Sequence, residues 1–227
     1  MVTRHLGNPI QPSNHHILIV SLVAITRAAR HRAHLGGMAD EEESKAAPQR
    51  RTAGSGRLLT FAYEYAHHPD WHRLKTCDAC EATIRSAFKR IGFDTSPNYP
   101  VGPSGMKKTV KDAASVLKSG DVLSAYVFCH GFAREHNQYL ATEGGIVNAR
   151  SLCNIVSQTV LDMDVSGVTF LLLLDCCRKA VGECDLSYWT SALQDDGDHH
   201  VSDEDYAKLD AKSLTIAVSY STHSGAY

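Results

Sequence analysis

Two short stretches of the chain carry side chains fit for nucleophilic chemistry. Tyr126-Val127-Phe128-Cys129-His130-Gly131 runs into an imidazole, and Leu173-Leu174-Asp175-Cys176-Cys177-Arg178 runs into two adjacent thiols. A thiol is a useful nucleophile near neutral pH when an imidazole and polar surroundings raise its thiolate fraction. The same imidazole can protonate a leaving amine, so the pair suits amide hydrolysis. Gly131 lets the backbone approach a substrate closely. The amides of Gly131 and Cys177 are then candidates for holding a developing oxyanion. Positions 130 and 177 are far apart in the chain, so only the fold can bring them together.

The elements that must do this are legible as apolar runs. Val122 to Phe128 has strand length, and Val168 to Leu174, opened by Gly167, has no polar residue after Thr169. Such a run is expected of a strand buried on both faces. Neighbouring parallel strands would deliver His130 and a cysteine to the carboxyl edge of one sheet, where ligands gather in open α/β folds. Leu58 to Tyr63 and Ser213 to Tyr220 read as further strands, and Phe93 to Pro103 as a loop or weak strand. The spacing of Ala79, Ala82, Ile84, Ala87, Phe88 and Ile91 predicts a helix from about Asp78 to Ile91, with Gly92 at its C-terminal turn. Further helices are expected over Lys107 to Leu117 and Asn148 to Leu161. Strands alternating with helices imply α/β architecture, a three-layer α/β/α sandwich with a mostly parallel central sheet.

Composition narrows the class. The 227 residues suffice for one domain and a tail, and a hydrophobic share of 43% is ordinary for a globular chain. A net charge of -2 gives no electrostatic case for nucleic acid or an anionic membrane. Seven cysteines without framework spacing fit reduced thiols and a cytoplasmic setting. Residues 1–39 contain no Asp or Glu and include the nine-residue apolar run Ile17 to Ile25, too short to span a bilayer. A targeting peptide and a disordered extension both fit that stretch. Asp40 to Gly56 is charged, small or turn-forming and reads as a linker. The folded domain is therefore expected over 57–227, after an N-terminal extension and linker over 1–56. The acidic stretch from Gly182 to Lys212 reads as an exposed loop.

The segment Gly167 to Lys179, an apolar strand leading to Asp175-Cys176-Cys177, resembles the nucleophile segment of the caspase-like cysteine peptidases. It is most similar to the paracaspase and metacaspase branch. Tyr126 to Gly131 resembles that family's histidine segment, and Asn137-Gln138-Tyr139-Leu140 the strand after it. Leu74 to Ala79, with the helix ending at Gly92-Phe93, resembles its first-helix segment. Ser219 to Ala226 resembles its late strand and turn. A histidine roughly 50 residues before the nucleophile is a further likeness to caspases.

The resemblance implies Cys177 as nucleophile, because it holds the Cys position of Asp-x-Cys, and His130 as general acid and base. It implies Asp78 and Asp175 as lining of the primary specificity pocket. Two carboxylates there would select substrates carrying Arg or Lys at the cleaved position. It implies protein or peptide substrates and no cofactor, and it leaves both monomer and homodimer open. Lys208 and Lys212, in the acidic loop, become candidate self-cleavage points. The sequence departs from the family pattern at Phe128-Cys129, where small residues are usual, and it ends before the family's last helix. The alternative is therefore an inactive caspase-like scaffold or regulatory domain. Cys77-x-x-Cys80 has the spacing of half a structural zinc site, but no second pair completes it, and no metal is expected.

Overall fold

The register of a few apolar runs decides which side chains meet at the end of the main sheet. The computed structural model describes residues 54–67, 71–97, 101–134, 137–176 and 203–220. In chain order the elements are β1 (Gly56–Ala62), α1 (Cys77–Arg90), β2 (Phe93–Thr95), α2 (Pro103–Ala114), β3 (Val122–Phe128), β4 (Gly131–Arg134), β5 (Asn137–Thr142) and β6 (Gly145–Asn148). They continue with α3 (Ala149–Asp162), β7 (Thr169–Asp175), α4 (Asp203–Ala211) and β8 (Thr215–Tyr220). The main sheet has the order β2-β1-β3-β7-β8, and every pairing in it is parallel. Helices flank this sheet, which gives the α/β sandwich expected from the sequence.

The two central strands pair from Val122↔Thr169 to Phe128↔Asp175. All seven residues of β7 are buried, which is why its sequence lacks polar alternation. Helix α1 buries Cys77, Cys80, Ile84 and Phe88, a stripe at helical spacing. Phe88 meets the ring of Phe93 edge-on at 4.9 Å. Gly92 has φ 87 and turns the chain from α1 into β2, in a conformation that costs glycine least. Helix α2 starts with Pro103, whose missing N–H is harmless in a first turn. Asn148 caps α3 by accepting the Arg150 N–H at 3.0 Å.

Helix α2 starts and ends about a turn earlier than expected, and two larger departures concern whole elements. An antiparallel sheet, β4-β5-β6, follows His130 directly; only part of β5 was expected. Its strands have four, six and four residues, too short for alternation to stand out. The second departure is α4, inside the stretch read as an exposed loop. Leu209 is buried, and Lys208 pairs with Glu204 at 2.9 Å and with Asp205. The Nζ of Lys212 donates to the Val160 carbonyl at 3.3 Å and to the Met163 carbonyl, which closes the C-terminus of α3. Acidic composition masked a helix whose described residues include the buried Leu209 and local ion pairs. The expectation of an exposed loop is thus corrected over Asp203–Ala211, which puts Lys208 in a helix and Lys212 just after it. Residues 182–202 of that stretch, and the extension and linker up to residue 53, lie outside the described residues.

This packing makes the sheet centre far less tolerant than its edge. Leu172→Ala, at a fully buried site, should cost about 3 kcal/mol. Val218→Ala, at a β8 position 39% exposed, should cost under about 1 kcal/mol. Urea unfolding of both variants measures the contrast, and equal losses would contradict the layered core.

Candidate active site

Strand β3 ends at Phe128, and the chain then leaves the main sheet through Cys129 and His130 into β4. His130 is buried. Its Nε2 lies 2.6 Å from the His72 carbonyl oxygen. A carbonyl only accepts, so Nε2 carries a proton, and in the neutral ring Nδ1 holds the lone pair. The imidazole stacks on Trp71 at 5.0 Å with 16° between planes. It lies 4.9 Å from the Tyr65 ring at 39°.

The segment that supplies Trp71 and the His72 carbonyl is tied down immediately afterwards. The Leu74 N–H donates to the Glu64 carbonyl at 2.8 Å. The Arg73 Nε donates to Glu64 Oε1 at 2.7 Å, and Leu74 is buried. Tyr65, Trp71 and the His72 carbonyl were not singled out in the sequence. The available signal was an aromatic set, Tyr63, Tyr65 and Trp71, on either side of the turn-forming sequence His67-His68-Pro69-Asp70. A backbone carbonyl leaves no signal of its own.

Gly131 opens β4 opposite Leu140. A Cβ there would lie 2.8 Å from the Tyr139 carbonyl oxygen and 3.2 Å from Cys176 Cβ, so close packing requires glycine. The Ala141 N–H donates to the His130 carbonyl at 2.9 Å, which makes 130 and 141 the hydrogen-bonded pair. In an antiparallel ladder the next pair is not hydrogen-bonded, so the Gly131 amide is directed away from β5.

At the end of β7, Asp175 is buried, and its Oδ2 accepts the Tyr126 hydroxyl at 2.9 Å. Asp78 is exposed in the first turn of α1. The two acids act on thiols of the same helix face: Asp78 raises the Cys77 thiol pKa, and Asp175 contributes to raising that of Cys80, second to burial in both cases or later. Asp78 thus stands in the first turn of α1 and Asp175 at the end of β7. Cys77 and Cys80 are buried on that helix rather than turned outward as ligands. Among the described residues no group of three or more His, Cys, Asp or Glu is arranged to hold a metal ion.

Cys129 and Cys176 follow the last β3–β7 pair side by side. Both are buried free thiols, and Cys176 Sγ accepts from Gln138 Nε2 at 3.6 Å. Burial, and then the hydrogen bond to Cys176, push the Cys129 thiol well above its ordinary range. Phe128 is buried too, so the departure at 128–129 fills the core. The structure thus brings His130, Gly131 and Asp175 to one end of the sheet. Cys177, the expected nucleophile, lies just beyond the described residues.

A family model described as the caspase domain matches residues 59–227. No curated protein matches the sequence. Among solved structures, the chain is similar to pro-sf-caspase-1, with 14% identity and a TM-score of 0.47, over 64% of this chain and 55% of that one. It is also similar to a protein from Geobacter sulfurreducens, with 13% identity and a TM-score of 0.48, over 76% of this chain and 74% of that one. The chain thus spans 55% of the length of pro-sf-caspase-1.

The buried Cys77 and the half-buried Cys153 carry a pH signature. Burial, aided by Asp78 and Glu64, pushes Cys77 up to about 12, and burial pushes Cys153 up to about 11. An unfolded thiol titrates near 9.0. Above that value the unfolded chain releases protons that the folded chain retains, so stability present below it is lost as pH rises toward the folded values. Urea midpoints should fall across this window, and the fall should be shallower in Cys77→Ala. Parallel curves for the two proteins would refute the assignment to Cys77.

Proposed function

The chain belongs to the caspase-domain family, and on that premise we propose that it is a cysteine endopeptidase working through Cys177 and His130. The observation that carries this reading is the fixed imidazole at the end of β3, its Nε2–H on the His72 carbonyl, beside the end of the strand that leads to Cys177. A protonated Nε2 leaves Nδ1 as the atom that exchanges a proton with the reacting groups. The Cys177 thiolate attacks the scissile carbonyl, and the C–N bond breaks as the imidazolium at His130 protonates the leaving amine. Water, deprotonated by the neutral imidazole, then hydrolyses the thioester.

Other features support the assignment. Cys176 is buried against Gln138 and Cys129, which favours Cys177 as the thiol that meets substrate. The Gly131 amide, directed out of the β4–β5 ladder, is a suitable oxyanion donor with that of Cys177. Asp175 in the interior and Asp78 at the surface favour a substrate guanidinium or ammonium, hence cleavage after Arg or Lys. We extend the reading to a homodimer paired along β8, where Ile216 and Val218 are exposed.

The test is cleavage of fluorogenic peptides ending in Arg, Lys or Asp by the full chain and its Cys177→Ala variant. Cleavage after Arg or Lys is expected, falling by more than about a thousandfold in Cys177→Ala. Asp78→Asn should raise KM for the Arg peptide. Cleavage after Asp would retain the peptidase and remove the basic pocket. No cleavage, with Cys177 inert to iodoacetamide, would replace the peptidase with an inactive scaffold.

A further inference from the structure

We infer that Tyr65 is a positioning residue for His130: its hydroxyl, set into the seam between His130 and Ala141, aims the imidazole at the His72 carbonyl. Tyr65 is buried and has φ 56, a left-handed conformation that bulky residues rarely adopt. Such conformations persist where surrounding contacts over-determine them and cluster at functional sites. The Tyr65 hydroxyl donates to the Ala141 carbonyl at 2.6 Å and accepts the His130 N–H at 3.3 Å.

In a regular antiparallel pair those two backbone groups would bond each other. Only half of that exchange is made directly here, the Ala141 N–H to the His130 carbonyl at 2.9 Å. The phenol completes the other half and holds the rung apart. This fixes the backbone of His130 at the point where the chain passes from the main sheet to β4.

The same side chain reaches the imidazole by a second route. The Tyr65 ring lies 4.9 Å from His130 and 6.2 Å from Trp71, and Trp71 lies 5.0 Å from His130. The three rings form a closed triangle. Rotation of the imidazole away from the His72 carbonyl would break contacts with both neighbours. Tyr63, also buried and stacked on Tyr65 at 5.9 Å, sends its hydroxyl to the Val101 carbonyl at 2.8 Å and not to His130, so removing that hydroxyl alone serves as an internal control.

The effect on catalysis rests on the peptidase reading, but the orientation of His130 does not. Tyr65→Phe removes the hydroxyl and keeps the ring; Tyr63→Phe removes a comparable buried bond. In full-length protein labelled with nitrogen-15 histidine, and assigned with His130→Gln, His130 should be a single Nε2–H tautomer at neutral pH. Tyr65→Phe should produce a mixture of tautomers and lower kcat by about tenfold with KM unchanged. Tyr63→Phe should leave both as they are, whatever its melting temperature. If Tyr65→Phe does not fold, the unaltered protein still decides the matter. A slowly exchanging Tyr65 hydroxyl proton, close to the His130 amide proton by NOE, supports the role, and its absence overturns it. A Tyr65→Phe protein with the wild-type tautomer also overturns it. Without any peptidase activity in the wild type, the tautomer readout alone decides Tyr65, and only the reaction is lost.

Discussion

The parallel pairing of β3 with β7 is the constraint on which the candidate site depends. It sets Phe128 beside Asp175, and from there the chain continues to His130 on one side and toward Cys177 on the other. Register in a sheet buried on both faces is enforced by every side chain in it. A slip of one residue would exchange the two faces of β7 and send Asp175, with its bond to Tyr126, into the opposite layer. The hydrophobic core thus does more than stabilise the domain. It fixes the offset of two reactive segments that are remote in sequence.

What the main sheet cannot fix is the direction of the imidazole, because His130 lies past the last paired residue of β3. That task falls to the chain between β1 and α1. There Glu64 holds Arg73 and Leu74, Trp71 covers the ring, and the His72 carbonyl receives Nε2–H. Tyr65 adopts its unfavourable φ within this same segment. Strain of that kind survives only when neighbouring contacts compensate for it. Its hydroxyl bonds to both His130 and Ala141 are the compensation visible here.

Legibility in the sequence follows from how many residues share one environment. Strands β3 and β7 were readable to within a residue because nearly every position is apolar and buried on both faces. Helices α1 and α3 were readable because their buried positions recur at helical spacing. The three short strands after His130 offer too few alternating positions, and α4 hides one buried leucine among acids. His130, Gly131 and Asp175 could be placed from the sequence at the carboxyl edge of the sheet because they lie at or just past the ends of buried strands. The His72 carbonyl and the Tyr65 hydroxyl could not, since their roles come from three-dimensional contact and not from residue type or spacing.

The described cysteines show how a fold keeps thiols inert. Cys77, Cys80, Cys129 and Cys153 all have thiol pKa values raised chiefly by burial, so they stay protonated at neutral pH and make poor nucleophiles. Burial favours the neutral thiol because the interior cannot solvate a thiolate. A catalytic thiol needs the opposite surroundings: polar groups, and an imidazole whose lone pair is turned toward it. In this chain the buried strand ends at Asp175, and Cys176 is still interior, bonded by Gln138. On the proposed reading the next residue in the chain, Cys177, is the nucleophile. That assignment sets the nucleophile one position in the chain past a thiol that the packed end of the sheet already encloses.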